Sequence, residues 1–122
     1  MSIKNILIVD DSKTEQIYLS ELLVAEGYNC RVAGNVEEAM MALESSTPQL
    51  ILLDVVMPGQ NGFQFTRTLS RDPRYAAIPI ILCTSKDQET DRMWGLRQGA
   101  KDYIVKPVQK ENLLAKIEAL AI

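Results

Sequence analysis

The chain has 122 residues, a length that fits one domain, and its 47% hydrophobic and 24% charged composition is that of a globular domain able to bury a core without disulfides. It holds no histidine, which excludes a histidine general base, a histidine-ligated metal and a phosphohistidine carrier role. The net charge of −3 argues against a nucleic-acid or anionic-membrane surface. Cys30 and Cys83 lie in separate apolar segments without CxxC spacing and read as free thiols in a reducing compartment. No apolar run approaches the ~20 residues of a membrane helix and no leader pattern precedes Ile3, so the chain reads as cytoplasmic, without membrane insertion.

Apolar runs and helical patterns alternate five times. Asn5 to Val9 reads as a strand buried on both faces, too short for a helix. Ser12 and Glu15 form an S-x-x-E capping box for a helix carrying Tyr18, Leu22 and Ala25 on one face, flanked by Leu19 and Leu23, and stopping at Gly27. Tyr28 to Ala33 reads as the second strand. Asn35 and Glu38 cap a second helix with the stripe Val36, Ala39, Met40 and Leu43, which Pro48 prevents from continuing. Leu50 to Leu53 is the most apolar strand, and Asp54 ends it. The turn-rich segment Met57 to Gly62 reads as a loop before a helix over Phe63 to Arg71. Ile78 to Cys83 reads as the fourth strand with Pro79 near its start. Ser85 and Gln88 offer a further capping box for a helix carrying Met93, Trp94 and Leu96 and ending near Gly99. Tyr103 to Val105 reads as the fifth strand, and the last helix carries Leu113, Leu114, Ile117, Leu120 and Ala121.

Strict alternation of strands and helices implies an α/β fold: a doubly wound, five-stranded parallel (βα)5 sheet with right-handed crossovers and the flavodoxin-like order 2-1-3-4-5. No repeat, linker or low-complexity segment interrupts residues 1–122, which read as a single domain with no output domain. In such sheets ligands bind at the carboxyl ends of the strands. Those ends are Asp10-Asp11, Asp54, Thr84-Ser85 and Lys106. Carboxylates ~4 Å apart repel by about 4 kcal/mol per pair at an effective dielectric near 20. Lys106 offsets one of the three charges, and a divalent cation closes the sum. All-oxygen donors and few carboxylates favour Mg2+. Beside such an ion a carboxylate can attack phosphorus. Asp54, alone at the end of the central strand, is the candidate nucleophile, with Asp10 and Asp11 as cation holders, and Lys106 and Thr84 as partners for phosphoryl oxygens.

This set resembles the receiver domain of two-component response regulators, the CheY-like group, over the whole length. Its marks are Asp10-Asp11 after the first strand, Asp54 ahead of Met57-Pro58 and Gly62, Thr84 after the fourth strand, and Lys106-Pro107 after the fifth. The resemblance implies that Asp54 is the phosphoacceptor, that Asp11 binds Mg2+ directly and Asp10 mostly through water, and that the Val56 carbonyl is a further ligand. It implies that Thr84 is the switch hydroxyl, Tyr103 the switch aromatic, Lys106 the phosphate-contacting lysine, and that the Lys106–Pro107 peptide is cis. It implies a stand-alone signalling monomer rather than an enzyme. A histidine kinase would supply the phosphohistidine, and a downstream target would read the surface of the fourth helix, fifth strand and fifth helix. Phosphorylation would draw Thr84 inward and open space into which Tyr103 rotates. Val56 and Lys86 would flank the path of the dephosphorylating water. The segment from Thr84 to Gln88, with Trp94-Gly95 and Arg97 to Gly99, is similar to the twitching-motility regulators of type IV pili, the PilH and PilG type.

Three other classes stay open on the residues alone. A flavin electron carrier would need a hydroxyl-rich phosphate loop where Asp10-Asp11 stand. An aspartate phosphohydrolase would want an acid two residues beyond Asp54, where Val56 stands. A pseudo-receiver would serve as an interaction module only. Flavin colour, phosphomonoester turnover and failure to bind Mg2+ would mark them respectively.

Overall fold

The continuous apolar runs become the centre of one parallel sheet. A computed structural model describes residues 3–121. In chain order it gives β1 (Asn5–Val9), α1 (Lys13–Ala25), β2 (Asn29–Ala33), α2 (Val36–Ser45), β3 (Leu50–Leu53), β4 (Val56–Met57), β5 (Gln60–Asn61), α3 (Gly62–Arg71), β6 (Ile80–Thr84), α4 (Glu89–Arg97), β7 (Asp102–Val105) and α5 (Lys110–Leu120). The main sheet runs β2-β1-β3-β6-β7, all parallel. With the small antiparallel β4–β5 hairpin set aside, this is the expected order 2-1-3-4-5.

Period-two alternation divides each strand between two cores. Ile6, Ile8, Leu50, Leu52, Ile81 and Ile104 face α1 and α5, where Leu19, Leu23, Leu113 and Ile117 close the layer. Leu7, Val9, Ile51, Leu53 and Leu82 face α2 and α3, meeting Ala39, Leu43, Phe65 and Leu69. Each such side chain, taken fully from water, contributes roughly 1.5–3 kcal/mol. The two layers fix the sheet from both sides, so the strand ends are rigid mounts.

Several local expectations change. α1 buries Gln16, Leu19 and Leu23 rather than the Tyr18, Leu22, Ala25 face. Tyr18 lies half outside because its hydroxyl donates to the Val108 carbonyl at 2.5 Å, which an inward ring could not do. The second strand begins at Asn29, not Tyr28. The fourth begins at Ile80, not Ile78, because the Ile78 N–H turns back to Tyr75 and Pro79 has no N–H to give. The segment after Asp54 is the β4–β5 hairpin rather than a plain loop. The Ser85–Gln88 box does not form: α4 starts at Glu89 with Gln88 at its N-cap and no side-chain cap bond. Met93, Trp94 and Leu96 stay exposed, and α4 instead approaches the sheet through buried Gly95.

Cys83 is buried and Cys30 partly buried. Both are free, and burial pushes the Cys83 thiol up to about 12, which leaves it protonated and unreactive at neutral pH. No helix among the described residues is long and apolar enough to cross a membrane.

Candidate functional site

The candidate residues are mounted on hydrogen bonds that prolong the sheet past its strands. Asp10 N–H donates to Ala33 O (3.0 Å), Asp54 N–H to Val9 O (2.9 Å) and Lys106 N–H to Thr84 O (2.8 Å). Each backbone is thus still part of the ladder while its side chain clears the strand end. The Lys106–Pro107 peptide is cis, as expected.

Asp10, Asp11 and Asp54 converge, with a carboxylate oxygen from each within 4.8 Å of the others. Asp10 and Asp54 are buried, at 2% and 7% exposure, whereas Asp11 faces solvent. Lys106 lies between the two buried acids, donating to Asp10 Oδ2 at 2.8 Å and to Asp54 Oδ2 at 3.2 Å. Asp10 Oδ1 accepts the Ser12 N–H (2.9 Å), and Asp54 Oδ1 accepts the Val56 N–H (3.2 Å). Burial pulls the Lys106 ammonium down, but the bond to Asp10 and the fields of Asp54 and Asp10 outweigh it and hold it above its ordinary 10.5.

Two buried carboxylates and a third beside them, against one ammonium, leave net negative charge in a low-dielectric corner. Every donor oxygen is hard. This donor set fits a small divalent cation of the magnesium type, with Asp10, Asp11 and Asp54 as its carboxylate holders.

Thr84 is fully buried at the end of β6, and its Oγ1 accepts the Lys86 N–H at 3.4 Å. Val56 lies just outside the cluster, its side chain exposed and its N–H spent on Asp54. The Tyr103 ring is buried, and its hydroxyl donates to the Lys86 carbonyl at 2.8 Å.

The sequence pattern does not show the contact of Gln16, the enclosed carboxylate of Glu15 or the contacts of Lys86. Buried Gln16 donates from Nε2 to the Asp10 carbonyl at 2.6 Å and so fixes the first acid's backbone. Glu15 forms half of the expected box. Ser12 Oγ accepts the Glu15 N–H (3.3 Å), but the Ser12 N–H goes to Asp10, so the Glu15 carboxylate caps nothing. Its Oε1 is enclosed without a hydrogen-bond partner. Desolvation raises the Glu15 carboxyl above its ordinary 4.5, Lys106 opposes the shift, and Asp10 and Asp54 reinforce it.

The folded protein keeps the Glu15 proton at pH values where the unfolded chain has lost it, so stability falls as pH rises through the window above 4.5. Glu15→Gln removes that loss. We expect a melting temperature higher by ~2 °C at neutral pH, with the gain fading as pH drops below the ordinary glutamate value. Thermal melts of both proteins across that range, without added metal, check it; an unchanged difference at all pH values would refute it.

The response regulator receiver domain family matches residues 6–118. Protein PilH of Pseudomonas aeruginosa is 49% identical over 94% of this chain and 95% of its own length. The phosphate regulon transcriptional regulatory protein PhoB of the same organism is 39% identical over 96% of this chain, which spans about half of that protein (51%). Among solved structures, the chemotaxis protein CheY4 of Vibrio cholerae superposes with a TM-score of 0.89 at 27% identity, over 99% of this chain and all of that one.

Proposed function

The chain belongs to the response regulator receiver family, and on that premise we propose that it is a stand-alone receiver that accepts a phosphoryl group on Asp54 from a histidine kinase. The observation that carries this reading is Lys106 bridging Asp54 and Asp10 beside Asp11 at the carboxyl edge of the sheet. Asp10, Asp11 and Asp54, with the Val56 carbonyl, would hold a magnesium ion, whose charge neutralises phosphoryl oxygens as they approach.

The chain's own groups divide the remaining work. An Asp54 carboxylate oxygen attacks phosphorus in line; the phosphorus–nitrogen bond of the donor's phosphohistidine breaks, and the imidazole leaves with the electron pair. The donor must bring the imidazole, since this chain has no histidine. Lys106 holds Asp54 in place beforehand and then pairs with a phosphoryl oxygen. Buried Thr84 offers a hydroxyl donor to another. The work is uptake and release of a signal, with no turnover of a metabolic substrate.

The exposed Met93, Trp94, Leu96 and Val105 of α4 and β7 provide an apolar surface for a downstream target, in line with the expected readout face. The likeness to PilH, together with the Thr84-to-Gly99 segment, favours a cytoplasmic role in type IV pilus motility.

Incubation with acetyl phosphate should add one phosphoryl group by intact mass in the presence of Mg2+ and none with a chelator. Labelling that ignores Mg2+, or no labelling under any condition, would overturn the reading. Thr84→Ala should keep the protein competent for uptake while reducing the accompanying change in Trp94 emission by more than half. An unaltered emission change would remove Thr84 from the switch.

A further inference from the structure

Lys86 stands where the acidic site meets α4. Its N–H donates to Thr84 Oγ1 (3.4 Å), and its carbonyl accepts the Tyr103 hydroxyl (2.8 Å). Its ammonium lies 4.0 Å from Asp91 Oδ1, in the first turn of α4. The same side chain lines a cleft of about 450 Å³ together with Val56 and Met57, and is the one charged side chain among the described residues that does so. Val56 is the residue whose N–H holds Asp54 Oδ1. The two sides of Asp54 therefore differ. Oδ2 is engaged by Lys106, whereas Oδ1 accepts the N–H of Val56, a residue that lines the same cleft as Lys86.

The Lys86–Asp91 pair is loose. Its separation is at the outer limit of an ion pair, and the lysine side chain is 44% exposed, so solvent and salt screen it heavily. Phosphorylated Asp54 would carry about −2 in place of −1 and present three strong acceptor oxygens. Summed with Asp10, Asp11, Lys106 and a divalent cation, the site is then left with about one uncompensated negative charge. Lys86 has the one ammonium in the cleft, a flexible four-carbon stem, and only a weak tie to give up. Asp91, once released, remains in a helix first turn, where the backbone dipole favours its charge.

Resting on the receiver reading above, the geometry points to an exchange: Lys86 pairs with Asp91 when Asp54 is bare and transfers to the phosphoryl group when Asp54 is modified, uncoupling the first turn of α4. Lys86 is thus a positioning and relay residue. Its backbone already touches both Thr84 and Tyr103, so displacement of its side chain acts on the same short loop that holds those two groups.

The test is a double-mutant cycle on binding of beryllofluoride, a phosphoryl mimic, with Mg2+ held constant and affinity read by calorimetry on the full chain. Lys86→Gln should weaken binding about five- to tenfold, the loss of one charge-assisted contact, and Lys86→Arg should restore most of it. Asp91→Asn should tighten binding about two- to fivefold, because Lys86 no longer has a competing partner. In the Lys86→Gln background the Asp91 change should then have no effect. Tightening by Asp91→Asn that persists without Lys86 would assign the effect to Asp91's own charge and overturn the exchange; so would Lys86→Gln with unchanged affinity. Failure of the receiver reading looks different: wild-type protein would bind no beryllofluoride, or Asp54→Asn would bind it as well as wild type does.

Discussion

Asp54→Asn should take up no measurable phosphoryl group from acetyl phosphate with Mg2+, while melting as a folded protein. The amide lacks the nucleophilic carboxylate, so the covalent step has no attacking oxygen. Neither neighbouring acid can replace it. Asp10 is tied at both oxygens, by Ser12 N–H and by the Lys106 ammonium, and its carbonyl is held by Gln16. Asp11 is exposed and lacks the lysine contact. The fold should survive because an asparagine Oδ1 can still accept the Val56 N–H, and the backbone N–H of residue 54 still reaches Val9 O. Removing one of three crowded negative charges also relieves repulsion of about 4 kcal/mol per pair at ~4 Å and an effective dielectric near 20, which offsets the loss of the charge-assisted bond to Lys106. Intact mass after incubation is the decisive measurement. Labelling undiminished from wild type would move the acceptor elsewhere and remove the assignment on which the functional reading stands.

Why that residue was legible, and others were not, has a physical basis. Asp54, Asp10, Thr84 and Lys106 follow directly on apolar runs, so the end of each run marks both the strand and the polar group beyond it. Parallel strands bring those ends to one edge, and the charge sum does the rest. The roles of Val56 and Tyr103 were available only through family resemblance; spacing says nothing of a carbonyl or of a ring's partner. α1 was phased wrongly because Tyr18 counts as apolar in a helical stripe, whereas its hydroxyl is anchored outward on Val108. The Ser12–Glu15 box was half right because Asp10, which ends the preceding strand, takes the Ser12 N–H first. The Ser85–Gln88 box failed for a similar reason: residues 85–88 are held back toward β6 through Thr84 Oγ1 and do not enter the helix. Two-residue strands such as β4 and β5 are too short to show any period. Glu15 near Lys106 and Lys86 beside Asp91 are juxtapositions made by the fold, with no local pattern to announce them.

The same mounting explains the second large effect, expected at Gly62. This glycine opens α3 directly behind Asp54, and its N–H donates to Val55 O at 2.9 Å. A Cβ there would be driven into the Asp54 carbonyl oxygen and would lie 2.6 Å from Val55 Cα and 3.0 Å from the Asp54 carbonyl carbon. All three are backbone atoms, so no rotamer change relieves the clash; either α3 or the end of β3 must move. Gly62→Ala should therefore lose about 3 kcal/mol or more of stability and, because the displaced atoms belong to residue 54, slow phosphoryl uptake in the fraction that remains folded. Gly59→Ala separates this close contact from conformational freedom. Gly59 has φ of 79° but nothing within 4 Å of an added Cβ, so its substitution should lose only about 1–2 kcal/mol from left-handed backbone strain and leave uptake at the wild-type rate. Chemical denaturation and labelling kinetics on the two variants give the comparison. Equal effects on uptake would mean that the hairpin as a whole, rather than the contact behind Asp54, sets the acceptor's position.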